Sequence, residues 1–168
     1  LLEILDIWYM TETKLPPDVR ISSLPDSVPP PMPLILMADP NEEQVAEYLP
    51  HCLMLVANHL DSIVGVLALS PEGKTKAEIK VLAVTPGYRR KGIGKLLLQE
   101  AGERAARLGF TELQVCTGNS SIKPFQLYQQ AGFELTDVRW NYFTHHYPQP
   151  ILEDGIPCKH QLVLTKSL

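Results

Sequence analysis

Cysteine is scarce. The chain holds only Cys52, Cys116 and Cys158, an odd number at irregular spacing, which fits reduced thiols and not a disulfide framework. Long apolar runs are missing as well: nothing approaches the ~20 residues a membrane-spanning helix needs. Leu1 to Met10 is interrupted by Glu3 and Asp6 and has no basic leader, so it is not read as a signal peptide. A cytoplasmic protein is expected. Positive charge is not in excess either. Lys and Arg number 15 against 19 Asp and Glu, a net charge of −4. The broad cationic surface of a phosphate-backbone binder is lacking, so neither nucleic acid nor membrane is an expected partner. What is present is 45% hydrophobic residues in a chain of 168, enough to bury one continuous core. Residues 1–17 read as an N-terminal arm of unassigned role and 18–168 as one domain.

The basic residues that do occur are concentrated. Tyr88-Arg89-Arg90-Lys91-Gly92-Ile93-Gly94-Lys95 sets consecutive cations and two glycines between an apolar β-like run and a strongly helical one. Cations at a helix N-terminus oppose the macrodipole, so something negative should offset them. Gly92 and Gly94 remove side chains where a ligand oxygen would approach free N–H groups, a fit to a pyrophosphate. The spacing discriminates among phosphate sites. A nucleoside-triphosphate loop would need glycine where Arg89 stands and a hydroxyl where Leu96 stands, and a dinucleotide fingerprint would need a third glycine at Leu97.

The elements follow in order. Val19 to Leu24 reads as a strand. Pro29 to Pro33 cannot enter a helix interior or central strand, so a short helix is expected around Leu34 to Ala38. Asp39-Pro40-Asn41-Glu42 offers an N-cap, a first-turn proline and an acid for a second helix running to about Leu49, stopped by Pro50. Cys52 to Ala57, Ile63 to Leu69 and Thr75 to Val84 form an antiparallel meander. Gly92 to Leu108 is an amphipathic helix with Glu100/Arg104 and Glu103/Arg107 at i,i+4, ended by Gly109. Thr111 to Thr117 is a strand, Ile122 to Ala131 a helix, and Phe133 to Tyr142 and Lys159 to Thr165 the last strands.

Arg89-Arg90-Lys91-Gly92-Ile93-Gly94 resembles the acyl-CoA pyrophosphate loop of the GNAT N-acetyltransferase superfamily. So do Ala77 to Val84 before the loop and Leu127-Tyr128-Gln129-Gln130-Ala131-Gly132-Phe133 after Asn119. The element order is similar to that fold over nearly all of 18–168. Leu36 to Pro40, Thr117 to Ser121 and Ile151 to Ile156 look like a bacterial branch loosely labelled as related to aminoglycoside N-acetyltransferases. The resemblance implies an α/β (α+β) fold, a mixed, mostly antiparallel twisted sheet with helices on both faces. It also implies acetyl transfer from acetyl-CoA to a primary amine, by direct attack in a ternary complex and without a metal. A small amine is the expected acceptor. A protein or peptide acceptor, or a non-catalytic CoA-sensing module, is the alternative.

By the same resemblance, acetyl-CoA contacts fall on Leu82, Ala83 and Val84, on Arg89 through Lys95 (Arg90, Lys91, Gly92, Ile93 and Gly94 between them), on Asn119 and on Tyr128. Tyr128 matches the acid that donates to the departing sulfur; a packed aromatic is the plainer reading, since Phe125 shares its helical face. Glu78 matches the base; a strand glutamate paired with Lys80 or Lys76 is equally consistent. Alternation puts Glu78 on the face of Lys80 unless a bulge intervenes. Asn119 is either a cofactor contact or a turn residue. Cys116, in an apolar strand, reads as inert packing. His145, His146, His160 and Cys158 match no zinc spacing. Trp140 to Pro157 is a long connection that walls the acceptor pocket, forms a homodimer contact, or is a surface excursion. Glu153 and Asp154 would favour a cationic acceptor if they face the pocket.

Overall fold

The computed structural model describes residues 15–168, so all but the last residues of the expected arm lie outside the described part. Strand β1 (Val19–Ser23) leads into the proline run. Helix α1 (Met32–Ile35) begins inside that run, earlier than the residues expected, because Pro33 sits in the first turn, where a missing N–H removes no intrahelical bond. Helix α2 (Glu42–Tyr48) is capped by Asn41, whose side chain accepts from the Gln44 N–H. Asp39, the expected cap, accepts instead from the Asn41 N–H and the Tyr48 hydroxyl, at 3.1 Å each. Pro50 lies within a 3₁₀ turn, Leu49–His51, that continues from α2.

The meander is β2 (Leu53–His59), β3 (Ser62–Glu72) and β4 (Lys76–Val84), antiparallel throughout. Helix α3 (Ile93–Arg107), β5 (Glu112–Gly118), α4 (Ile122–Gln130) and β6 (Glu134–Arg139) follow. The strand expected to reach Tyr142 ends at Arg139, and Tyr142–His146 form a short helix, α5. The hairpin β7 (Ile151–Glu153) and β8 (Ile156–Cys158) precedes β9 (Gln161–Ser167). The main sheet has seven strands in the order β1-β2-β3-β4-β5-β9-β6, with β4–β5 its parallel pair. This is the mixed, mostly antiparallel sheet with helices that was expected.

Both faces are covered. On one, Leu55, Leu67, Leu69, Ile79, Leu113 and Val115 pack with Ile93, Leu97 and Ala101 of α3 and with Tyr128 of α4. On the other, Val56, Val66, Val81 and Ala83 pack with Leu34 and Ile35 of α1 and Val45 of α2. A side chain at Gly65 of β3 would put its Cβ 3.1 Å from Ile93 and from Leu97, so this glycine lets the start of α3 lie directly on the sheet. Gly65 pairs with Val84, the last residue of β4. The packing therefore fixes the N-terminus of α3 at the end of β4. Among the described residues no helix is long and apolar enough to cross a membrane.

Candidate active site

The parallel ladder between β4 and β5 runs only from Lys76↔Glu112 to Ile79↔Val115. Beyond it β4 continues to Val84 on β3, while β5 continues to Gly118 on β9. The two strands part. Alternate peptide groups of Lys80 to Val84 thus lack a strand neighbour and face the gap. The parting coincides with a β-bulge: Ala68 pairs with Val81 and Leu69 with Ile79, leaving Lys80 as the extra residue. Ile79 belongs to the α3-side core and Val81 to the α1–α2 side, so the bulge exchanges the faces of β4. Glu78 and Lys80 still share a face, because the exchange falls after Lys80; their charged ends are 3.2 Å apart.

At the mouth of the gap lies the basic loop. Pro86–Tyr88 form a 3₁₀ turn, and Arg90 (φ 58°) and Gly92 (φ 83°) both take left-handed backbone. Arg90 holds that conformation without glycine's freedom, at a cost of ~1–2 kcal/mol. Gly92 is the N-cap of α3 and offers no side chain to cap it, so the first N–H groups of a long helix face outward beside the cations. Arg89, Arg90, Lys91 and Lys95 are exposed, whereas the Ile93 side chain is buried, leaving its backbone as the part that can meet a ligand. The Arg89 Nε–H donates to the Val84 carbonyl at 2.9 Å, tying the loop to the strand end. A Cβ at Gly94 would lie 3.2 Å from Leu127, so this glycine also serves the close approach of α4 to α3.

Tyr128 follows Leu127 on α4. Its ring meets Phe133 edge-on at 6.0 Å, and the residue is 7% exposed. Burial, with a smaller contribution from the nearby Cys116, pushes its phenol up to about 12. It is a packed aromatic, and its phenol stays protonated. Across the sheet, Glu78 accepts from the Gln114 side-chain N–H at 2.9 Å and pairs with Lys80. Lys80 also reaches Glu72 at 3.0 Å. Burial alone would lower the Lys80 pKa, but the Glu72 hydrogen bond and the Glu78 charge outweigh it and raise it. Gln114, which sequence reasoning passed over, is nearly buried and takes a hydrogen bond from Lys76 at 3.2 Å, which fixes its amide so that N–H faces Glu78. Burial, foremost, and the Glu78 charge raise the Cys116 thiol to about 11, which keeps it protonated and inert.

The Asn119 carboxamide meets three backbone groups. Its oxygen accepts from the Lys159 and His160 N–H groups at 2.7 and 2.8 Å, and its nitrogen donates to the Pro157 carbonyl at 3.0 Å. The residue clamps the β5–α4 loop to β8–β9, which is turn chemistry. Glu153 accepts from the Ser120 and Ser121 hydroxyls at 2.6 and 2.8 Å, placing a carboxylate at the start of α4. Asp154 (φ 49°) and Gly155 (φ 79°) make the two-residue turn of the hairpin. An Asp-Gly pair is the sequence signal for such a turn. Segment 140–157 folds back on β9's approach, the Phe143 N–H donating to the Lys159 carbonyl at 3.0 Å, and burial, foremost, and then the charge of Asp39 raise the Tyr147 pKa. Among the described residues no group of three or more His, Cys, Asp and Glu is arranged to hold a metal.

Comparison with known proteins agrees with this geometry. The pattern of the acetyltransferase (GNAT) family matches residues 21–133. The uncharacterized N-acetyltransferase YvbK of Bacillus subtilis (strain 168) is 37% identical over 135 residues, covering 80% of this chain and 87% of that protein. A GNAT family acetyltransferase from Elizabethkingia anophelis, solved with acetyl-CoA bound, superimposes with a TM-score of 0.86 at 36% identity, over 90% of this chain and 99% of that one. An IAA acetyltransferase from Bacillus cereus ATCC 14579 superimposes at 0.83 and 38% identity, over 89% and 99%.

Proposed function

The chain belongs to the acetyltransferase (GNAT) family and is an acetyl-CoA-dependent N-acetyltransferase; on that premise we propose that it transfers the acetyl group to the primary amine of a small molecule, by direct attack in a ternary complex. The observation that carries this reading is the parting of β4 and β5 after Ile79 and Val115, with the uncapped start of α3 at its mouth and Tyr128 beside it.

In this reading the N–H groups of Gly92 to Lys95 and the Arg90, Lys91 and Lys95 cations hold the diphosphate, while Arg89 braces the loop on Val84. Open peptide N–H groups of Leu82 and Val84, two residues apart and so in the same phase, hold the pantetheine amide and the developing oxyanion. Ala83 between them is a spacer, its side chain buried and its peptide groups turned to β3. Asn119 shapes the loop at the far rim through its three backbone contacts. Glu78 receives the proton that the amine loses as the C–N bond forms, directly or through water; Lys80 and Gln114 hold its two oxygens in place. Tyr128 donates to the sulfur as the C–S bond breaks. A small acceptor is favoured because Glu153, Pro157 and Lys159 are pinned onto Asn119 to Ser121, so the β7–β8 hairpin covers the rim of the gap at the end of β5.

The test is an acceptor screen that reads free thiol released from acetyl-CoA, with polyamines, amino sugars, amino acids, IAA and N-terminal or lysine peptides as arms. Release with a small primary amine, and an acetylated product by mass, is expected. Release with peptides alone would overturn the small-molecule reading.

A further inference from the structure

One contact next to the loop has no part in the chemistry above. The Tyr88 hydroxyl lies 3.0 Å from His59 Nδ1, and the two rings are tilted at 5.4 Å between centroids. The Lys91 ammonium sits 5.3 Å from the centre of the same Tyr88 ring. Tyr88 closes the 3₁₀ turn that starts the basic loop, its N–H donating to Thr85 at 2.8 Å. His59 ends β2 at the turn into β3, with Leu60 beside it in left-handed backbone at φ 53°.

We propose that His59 is a positioning residue for cofactor binding: through Tyr88 it anchors the basic loop to the β2–β3 turn and holds Lys91 over the ring, ready for the diphosphate. The inference rests on the reading of that loop as the acetyl-CoA site. Three physical points support it. The hydrogen bond joins residues far apart in sequence, so it ties the loop to the meander and not to itself. Both partners can donate or accept, so the bond persists whichever tautomer His59 adopts. A lysine on a flexible four-carbon stem loses entropy when it engages a phosphate, and a cation–π contact that restrains it beforehand reduces that loss. His59 contacts no reacting atom, so its effect belongs in cofactor affinity and not in turnover.

Calorimetry with CoA on the full chain is the test. His59→Ala is expected to raise the CoA Kd about tenfold, the effect of one hydrogen bond with its packing. Tyr88→Phe, which loses one oxygen and keeps the ring, should raise it about threefold. His59→Gln, able to reach the phenol, should recover most of the loss. Turnover at saturating acetyl-CoA should stay within about twofold, while the KM for acetyl-CoA follows the Kd. An unchanged Kd in His59→Ala, or a loss confined to turnover, would overturn the proposal. If His59→Ala fails to fold, Tyr88→Phe decides alone, an unchanged Kd overturning it. Gly92→Asp is the control for the underlying reading. If that variant, folded by circular dichroism, binds CoA normally, the loop assignment fails and this inference with it. If it abolishes binding while both His59→Ala and Tyr88→Phe bind normally, only this inference fails.

Discussion

Tyr128 illustrates how burial sets the chemistry a residue can perform. The thiolate of a thiol of ordinary pKa ~8.5 is a weaker base than the anion of a phenol raised to about 12. Complete proton transfer from Tyr128 to the leaving thiolate would therefore run uphill by ~5 kcal/mol. The phenol is better placed to donate a strong hydrogen bond to sulfur as charge builds, the thiolate taking its proton afterwards from solvent while Glu78 releases there the one it took from the amine. We expect Tyr128→Phe to lower kcat by about 10–100-fold with CoA affinity within about twofold, measured by thiol release and calorimetry. The sign of the pH effect follows. The folded-state pKa lies above the ordinary 10.0, so the stability from burying a neutral phenol is intact below pH 10 and is lost as pH rises towards 12. Urea midpoints between pH 9 and 11 should fall less steeply for Tyr128→Phe than for the wild type. Unchanged kcat in the variant would remove Tyr128 from the mechanism. Glu78 shows the complementary case: the pairing with Lys80 that the sequence offered as its plain role is present, and it also holds the carboxylate at the edge of the gap.

Helix α3 delivers the loop because the sheet beneath its first turn is smooth. Gly65 is the cause, since a Cβ there would press on Ile93, Leu97 and Ala57 at 3.1, 3.1 and 3.2 Å. We expect Gly65→Val to destabilise the fold by about 1–3 kcal/mol and to raise the KM for acetyl-CoA, because the displaced α3 carries the Gly92 turn away from the end of β4. Urea unfolding together with steady-state kinetics checks both; a stability loss without a KM change would separate the packing from the site. The elements were largely legible. The long helix announced itself by periodicity, by Gly109 and by the Glu100–Arg104 pair, seen at 2.8 Å. The bulge at Lys80 was not legible, for a physical reason: both faces of β4 are covered by core, so apolar alternation continues through the residue where the faces exchange. Nor was α5, whose Tyr142-Phe143-Thr144-His145-His146 carries no helix signal and forms where the segment folds back, Phe143 N–H donating to Lys159. For Asn119 the geometry favours the turn role, a distinction that depends on partners about forty residues away.

For the whole molecule, the parting of the sheet makes folding and ligand binding one problem. Strands β1 to β4 on one side and β5, β9 and β6 on the other are joined by the short ladder ending at Ile79↔Val115, by the covering helices and by their loops. That opening could not be read along the chain, because it is a property of two strands separated by an entire helix. It leaves peptide groups of β4 without a strand partner, and a ligand lying between the strands would pair them and tie the two sides together. A ligand that binds only the folded state at about 100 times its Kd stabilises by about 2.7 kcal/mol. In a domain of this size each kcal/mol raises Tm by about 2–4 °C, so saturating CoA should raise it by about 5–10 °C. Pantetheine without the diphosphate should give a smaller shift, since it fills the gap but leaves the cations and the α3 N-terminus unanswered, and Gly92→Asp should abolish the CoA shift. Thermal unfolding with CoA, pantetheine and buffer separates the two halves of the site. Equal shifts for CoA and pantetheine would mean that the basic loop contributes nothing to binding, whatever its charge.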